Sequence, residues 1–123
     1  MHRPDSRRVL IVEDELDVIC TLEAWLEAGG WEVRSARSGR AALDMASSFQ
    51  PHVVITDYML QGEVSGVDII EQIKARGLKA RCVLITGVLQ NALLESVRRL
   101  HGVPILTKPF DFRRLSELLN GSC

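Results

Sequence analysis

The chain has 123 residues, 46% of them hydrophobic, and its 15 basic and 16 acidic residues give a formal net charge of −1. This size suits one compact domain with a sizeable core, and it excludes both a disordered chain and a pair of ordinary domains. Scattered charges, short apolar runs and a polar beginning argue against binding to nucleic acid or membrane and against a secretory signal, and we expect a cytoplasmic protein.

Strand-like apolar runs alternate with amphipathic helical patterns along the chain. The first strand, residues 9–12, has no polar interruption, which is typical of a strand covered on both faces. A helix over about residues 16–28 follows, and Gly29-Gly30 ends it. The same alternation predicts strands at 31–36, 53–56, 82–86 and 105–107, and helices at about 38–48, 67–76, 91–100 and 111–119.

Five strands alternating with five helices predict an α/β fold with right-handed crossovers, in which a parallel sheet lies between two layers of helices. No linker or repeat divides the sequence, so we expect residues 1–123 to form a single domain with its core at about 8–119. Ligands of such open sheets bind beyond the carboxyl ends of the strands. The residues that follow each strand are therefore the ones to inspect for chemistry.

Acidic side chains, a hydroxyl and an ammonium follow these strands. Glu13 and Asp14 follow the first, Asp57 the third, Thr86 ends the fourth, and Lys108 follows the fifth. Two carboxylates about 4 Å apart repel by about 4 kcal/mol at an effective dielectric constant near 20, so the cluster needs a divalent cation. Mg²⁺ suits it, because this ion takes one or two carboxylates, a carbonyl and several waters. A nucleophilic carboxylate beside such charges is suited to phosphoryl transfer.

Four segments resemble the signatures of response-regulator receiver domains of two-component signalling. They are LIVEDE at residues 10–15, ITDYML at 55–60, ITG at 85–87 and LTKPF at 106–110. Together with their spacing, they extend the resemblance from about Arg8 to Leu119. The resemblance implies the flavodoxin-like, doubly wound (βα)5 fold of chemotaxis receivers, with strand order 2-1-3-4-5.

The resemblance also implies a phospho-acceptor and a metal site. Asp57 matches the acceptor, and Asp14 matches the residue that binds the metal directly. Glu13 would bind through a metal-bound water, and Met59 would offer its backbone carbonyl. Mg²⁺ or Mn²⁺ is the expected ion.

Further matched positions concern the phosphoryl group and the switch. Lys108 and Thr86 would contact phosphoryl oxygens, and the peptide before Pro109 is expected to be cis. Gly87 follows the switch hydroxyl. Ile105 stands where many receivers have an aromatic ring, and we expect this replacement to mute the coupling between Thr86 and the last strand.

The implied function is that of a signalling switch and not of an enzyme acting on a separate substrate. The chain would accept a phosphoryl group from a sensor histidine kinase or a histidine phosphotransfer protein, and would present an output surface built from the fourth helix, fifth strand and fifth helix. The output partner is not implied, and a monomer or weak homodimer is expected. The glycine and serine pattern at 62–66 resembles receivers linked to hybrid histidine kinases, whereas a start at Met1 favours an independent or N-terminal receiver.

Two apolar positions near the expected phosphoryl site suggest a slow reversal of phosphorylation. Met59 and Val88 have no side-chain group that could orient an attacking water. We therefore expect slow hydrolysis of the aspartyl phosphate, and a lifetime that stays unchanged when both residues are made polar would contradict this.

Other interpretations of the same residues remain open. Each acid, threonine or Lys-Pro pair alone is commonly a solvated loop or turn feature. A hydrolase of the haloacid-dehalogenase type also uses an aspartate nucleophile, but it needs a second acid two residues later, where this chain has Met59. A receiver-like interaction module would need no chemistry at all. A flavodoxin-like cofactor domain would need a phosphate-binding loop after the first strand, where this chain is acidic.

Overall fold

The computed structural model describes residues 7–60, 64–87, 95, 97–98, 100 and 102–120. Its elements are β1 (Arg8–Val12), α1 (Leu16–Ala28), β2 (Glu32–Ala36), α2 (Gly39–Phe49), β3 (Val53–Asp57), α3 (Gly66–Ala75), β4 (Arg81–Thr86), β5 (Ile105–Thr107) and α4 (Phe112–Leu119). Most of the helix predicted at 91–100 lies outside the described residues, although residues 95, 97 and 98 are helical.

The five strands form one parallel sheet in the order β2-β1-β3-β4-β5. This order confirms the predicted flavodoxin-like fold, and the described elements agree closely with the predicted ones. Val12 pairs with Thr56, and Thr86 pairs with Thr107, so the carboxyl ends of the strands meet at one edge of the sheet.

Helices cover both faces of the sheet, which explains the continuous apolar runs of the central strands. Successive side chains of a strand point to opposite faces. Leu10, Val12, Val54 and Leu84 therefore pack against α2 and α3, whereas Val9, Ile11, Ile55 and Ile85 pack on the other face with residues of α1 and α4. No helix in the described part of the chain has the length and apolar character needed to cross a membrane.

Helix ends are set by local side-chain hydrogen bonds and one glycine. Ser38 caps α2 and Asp111 caps α4, as the sequence predicts. Ser65 and Asp68 form a reciprocal capping box at the start of α3, which fixes where the chain leaves the loop after β3. Gly30 has a φ of +90°, a conformation that glycine adopts without strain, and it turns the chain from α1 to β2.

Arginines at the starts of the strands bind the ends of the helices. The guanidinium of Arg8, the first residue of β1, donates to the carbonyls of Phe49 and Gln50 at the end of α2. Arg81, the first residue of β4, donates to the carbonyls of the last two residues of α4. Helix C-termini carry partial negative charge and unpaired carbonyls, so these contacts stabilise this edge of the sheet.

Candidate functional site

The carboxyl ends of β1, β3 and β5 bring acidic side chains and one ammonium together. Ligand oxygens of four acids, Glu13, Asp14, Glu15 and Asp57, all lie within 4.8 Å of one another. Lys108 Nζ lies 3.1 Å from Asp57 Oδ2 and 3.1 Å from Glu13 Oε2. The structure thus gathers at one edge the predicted acceptor, the predicted acidic metal ligands and the predicted phosphate-binding lysine.

Asp57 ends β3 and is held in place by both its side chain and its main chain. Only 5% of the residue is exposed. Its Oδ1 accepts a hydrogen bond from the Met59 N–H at 3.3 Å, and its Oδ2 accepts one from Lys108 Nζ. The main-chain carbonyl accepts from Thr56 Oγ1 at 3.0 Å and packs directly against Gly66. The carboxylate is therefore oriented before any ligand arrives.

Glu13 is completely buried, and its carboxylate lies close to that of Asp57. Its Oε1 accepts from the N–H groups of Asp14 and Glu15, both at 3.2 Å. Its Oε2 forms an ion pair with Lys108 but accepts no hydrogen bond from the described residues. Burial and the charge of Asp57 raise the pKa of Glu13 to about 7, and Lys108 offsets only part of this rise. The Oε2 oxygen therefore has an ion pair but no well-directed hydrogen bond, and it could also accept from a water bound to a cation.

Lys108 carries the positive charge of the site. Its Nζ also lies 3.5 Å from Glu15 Oε1, so it faces three carboxylates. Burial acts to lower the pKa of Lys108, but the carboxylates of Glu13 and Asp57 outweigh burial and hold the pKa above its ordinary value. The Lys108–Pro109 peptide is cis. The ammonium is therefore charged at neutral pH and directed into the site.

The predicted switch residues lie at the ends of β4 and β5. Thr86 is the last residue of β4 and is 3% exposed; its carbonyl accepts the Lys108 N–H at 2.8 Å. Asp57 pairs with Ile85, so Thr86 comes one residue beyond the position opposite the acceptor. Gly87 follows on the surface, and Ile105 is half-buried at the start of β5.

Of the two apolar residues expected near the phosphoryl group, only Met59 lies within the described residues. Met59 is 70% exposed, so its side chain does not contribute to the core. Val88 lies outside the described residues.

Two contacts of the site were not predicted from the sequence. Glu15 reaches Lys108, and Arg37 Nη2 donates to the Asp14 carbonyl at 3.2 Å. Arg37 directly follows β2. Because ligands of open sheets bind beyond the carboxyl ends of the strands, its position could have marked it as a candidate.

Residues 9–120 match the response regulator receiver domain family. This chain is a response regulator receiver domain. It is 35% identical over 104 residues to protein-glutamate methylesterase/protein-glutamine glutaminase 2 of Rhodopseudomonas palustris, a match that covers 83% of this chain and 28% of that protein. It is 28% identical over 116 residues to the chemotaxis protein CheY of Thermotoga maritima, covering 94% of this chain and 96% of that one.

Solved structures agree. A response regulator receiver protein from Pseudomonas putida superposes with a TM-score of 0.82 at 26% identity, covering 98% of this receiver and all of that chain. The receiver spans less than half the length of the first curated relatives that it matches. Receiver domains are signalling switches that bind Mg²⁺ at an acidic pocket and interact with histidine kinases or phosphotransfer proteins.

Proposed function

We propose that this receiver accepts a phosphoryl group on Asp57 from the phosphohistidine of a partner protein and thereby switches a partner-binding surface. The position of Asp57 carries the proposal: its carboxylate is nearly buried, oriented by Lys108 and by the Met59 N–H, and close to further acids. A carboxylate oxygen forms a bond to phosphorus as the bond between phosphorus and the histidine nitrogen breaks. The electron pair of that bond stays on the imidazole nitrogen, so no further reactant is needed.

The acidic cluster supports a divalent cation, Mg²⁺ or Mn²⁺. Asp14, Asp57 and the Met59 carbonyl would hold the ion directly, and Glu13 would hold it through a bound water. The donor set consists of oxygens, as Mg²⁺ prefers, and Glu13 Oε2, which has an ion pair with Lys108 but no well-directed hydrogen bond, gives such a water an acceptor. When bound, the ion supplies positive charge to the phosphoryl oxygens and reduces their repulsion from the carboxylates.

Lys108 and Thr86 would contact the transferred group. Lys108 Nζ already touches the carboxylate that would carry the phosphoryl group, so a small movement brings it to a phosphoryl oxygen. Thr86 ends the neighbouring strand, and its hydroxyl is suited to donate to another oxygen. Its displacement towards the phosphoryl group would begin the change in the output surface.

A depression beside the site is suited to the phosphodonor protein. It has a volume of about 320 Å³ and is lined by Asp17, Val18, Thr21, Lys108, Pro109, Phe110 and Phe112. Most of this lining is apolar, and it joins α1 to the loop that carries Lys108. An apolar surface next to the acceptor suits a partner helix that must bring its phosphohistidine to Asp57.

The competing hydrolase function lacks support at the residue that it needs most. That chemistry requires a general acid two residues after the nucleophile. Met59 holds this position and is 70% exposed. We therefore propose a switch that catalyses only its own phosphorylation and slow dephosphorylation.

Phosphorylation by a small donor tests the proposal. The protein is incubated with acetyl phosphate and Mg²⁺, and its intact mass is measured with and without EDTA. We expect a gain of about 80 Da that requires Mg²⁺, disappears in Asp57→Asn and persists in Asp44→Asn, an exposed acid on α2. Equal labelling of wild type and Asp57→Asn would refute the assignment of the acceptor.

A further inference from the structure

The peptide groups of Asp14 are held on both sides, while its carboxylate has no partner among the described residues. The Asp14 N–H donates to Glu13 Oε1, and the Asp14 carbonyl accepts from Arg37 Nη2, both at 3.2 Å. Within the described residues, the Asp14 carboxylate makes no hydrogen bond or ion pair, although its oxygen lies within 4.8 Å of the other acids. The residue is thus fixed by its main chain and leaves its charged group available.

Arg37 adds to a contact that the strands already make. The Glu13 N–H donates to the Ala36 carbonyl at 3.0 Å, which continues the pairing of β1 with β2 past the end of β1. Arg37 is the next residue along the chain, and its side chain reaches the next residue of the loop, Asp14. The end of β2 and the residue that follows it therefore hold Glu13 and Asp14, the first two residues after β1.

We infer that Arg37 is a positioning residue for the divalent cation, acting through the main chain of Asp14. This inference rests on the metal site of the proposed function. A ligand that is already fixed loses less conformational freedom when it binds, so the hydrogen bond from Arg37 favours binding of the ion. The charge of Arg37 acts in the opposite direction by repelling a cation. Arg37 is exposed, so solvent and salt screen this repulsion, whereas the geometric effect of the hydrogen bond remains.

Arg40 provides a matched control. It is also exposed, lies three residues further along the chain in α2, and makes no hydrogen bond or ion pair with the described residues. Arg40→Ala therefore removes the same charge from the same region without releasing Asp14.

The test is binding of the metal alone, with no phosphodonor present. Mg²⁺ binding is measured by calorimetry, and Mn²⁺ binding by the electron paramagnetic resonance signal of the free ion. Both are measured in 0.1 M and 0.5 M salt. We expect Arg37→Ala to weaken binding by about three- to tenfold at both salt concentrations, the usual net effect of one exposed hydrogen bond, and Arg40→Ala to change it less than twofold. The melting temperature in EDTA should be the same for all three proteins. With acetyl phosphate, Arg37→Ala should need more Mg²⁺ for half-maximal labelling but reach the wild-type rate at saturation.

Two results would overturn the inference. The first is that Arg37→Ala binds the metal as tightly as wild type or more tightly, which would make repulsion the larger effect. The second is that its loss of affinity comes with an equal loss of stability in EDTA, which would make Arg37 a structural residue only. If wild type neither binds Mg²⁺ nor gains a phosphoryl group, the proposed function itself fails. If wild type does both and Arg37→Ala behaves in the same way, only the inference about Arg37 fails.

Discussion

Gly66 lies against the main-chain carbonyl of Asp57 so closely that a side chain does not fit between them. A Cβ on Gly66 would overlap the Asp57 oxygen and would lie 2.9 Å from Leu84 Cδ1. The Gly66 N–H also donates to the Tyr58 carbonyl at 2.9 Å, which closes the loop after β3. The first turn of α3 therefore packs directly on the acceptor residue.

Gly66→Ala should destabilise the domain, because the added methyl group meets backbone that cannot move away. We expect a loss of about 1–3 kcal/mol in the free energy of unfolding, measured in urea. Labelling by acetyl phosphate should also be slower. Gly29→Ala is the control, since a Cβ there has its nearest neighbour at 3.4 Å. Equal stability of the two variants would contradict the close packing at Gly66.

Asp14→Asn should separate metal binding from folding. The Asp14 carboxylate has no partner in the described part of the chain and lies close to other acids, so the variant should be at least as stable as wild type without metal. Wild type should gain about 2.7 kcal/mol when free Mg²⁺ is 100 times its Kd, and Asp14→Asn should lose this gain. Asp44→Asn, with its acid exposed on α2, should retain it. The measurement is urea unfolding with Mg²⁺ and with EDTA.

Glu13 should make the metal-free protein less stable as the pH rises. Its folded-state pKa is raised from 4.5 to about 7, so the folded protein binds this proton more tightly than the unfolded chain does. Its contribution to stability is therefore fully present below pH 4.5 and is lost as the pH rises to about 7. The size of this loss is about 3 kcal/mol.

The comparison with Glu13→Gln isolates this effect. Urea unfolding in EDTA is measured for both proteins between pH 4.5 and pH 8. Contributions from other titrating groups, such as His52, cancel in the difference between the two proteins. We expect wild type to lose stability relative to Glu13→Gln over this range, and a difference that does not change with pH would show that Glu13 titrates normally.

Thr21→Arg should impair transfer from a protein donor and leave the small donor unaffected. Thr21 lines the apolar depression beside Lys108 and is exposed on α1, so a long charged side chain would block a partner there without disturbing the core. We expect phosphoryl transfer from a phosphorylated histidine protein to fall by at least about tenfold, the equivalent of 1.4 kcal/mol, while labelling by acetyl phosphate stays the same. Ala24→Arg, exposed on the same helix but outside the depression, is the control. Equal transfer to both variants would place the donor elsewhere.

Arg81→Ala should reduce stability without changing phosphorylation. Arg81 donates to the carbonyls that end α4, at the edge of the sheet opposite to Asp57. Loss of these hydrogen bonds should cost about 1–2 kcal/mol in the free energy of unfolding. Arg113→Ala removes the same charge from an exposed position on α4 and should cost much less. A changed labelling rate in correctly folded Arg81→Ala would contradict this separation of the two edges.

The main features of the fold could be predicted because the central strands are covered on both faces. Residues 9–12 and 53–55 must then be apolar throughout, and this pattern distinguishes them from the helices. The parallel sheet next determines which loops meet, so Glu13, Asp57 and Lys108 could be expected at one edge. Residues 88–94, 96 and 99, which include Val88 and most of the predicted fourth helix, lie outside the described part of the structure.

Individual contacts could not be predicted, because they depend on where long side chains point. Neither periodicity nor strand position fixes the several torsion angles of Glu15 or Arg37. Their contacts with Lys108 and with the Asp14 carbonyl became visible only in three dimensions. The missing donor at Glu13 Oε2 likewise depends on the full set of neighbouring atoms.

The hydrogen bond between the Lys108 N–H and the Thr86 carbonyl joins two groups that would share the phosphoryl oxygens. A shift in the backbone at either residue would be passed to the other without rotation of an aromatic side chain. β5 is an outer strand, with β4 as its single neighbour in the sheet, so a shift of β4 would reach it through this pairing. These main-chain contacts would thus offer the signal a route along the rim of the sheet, beside the side-chain coupling that we expect Ile105 to mute.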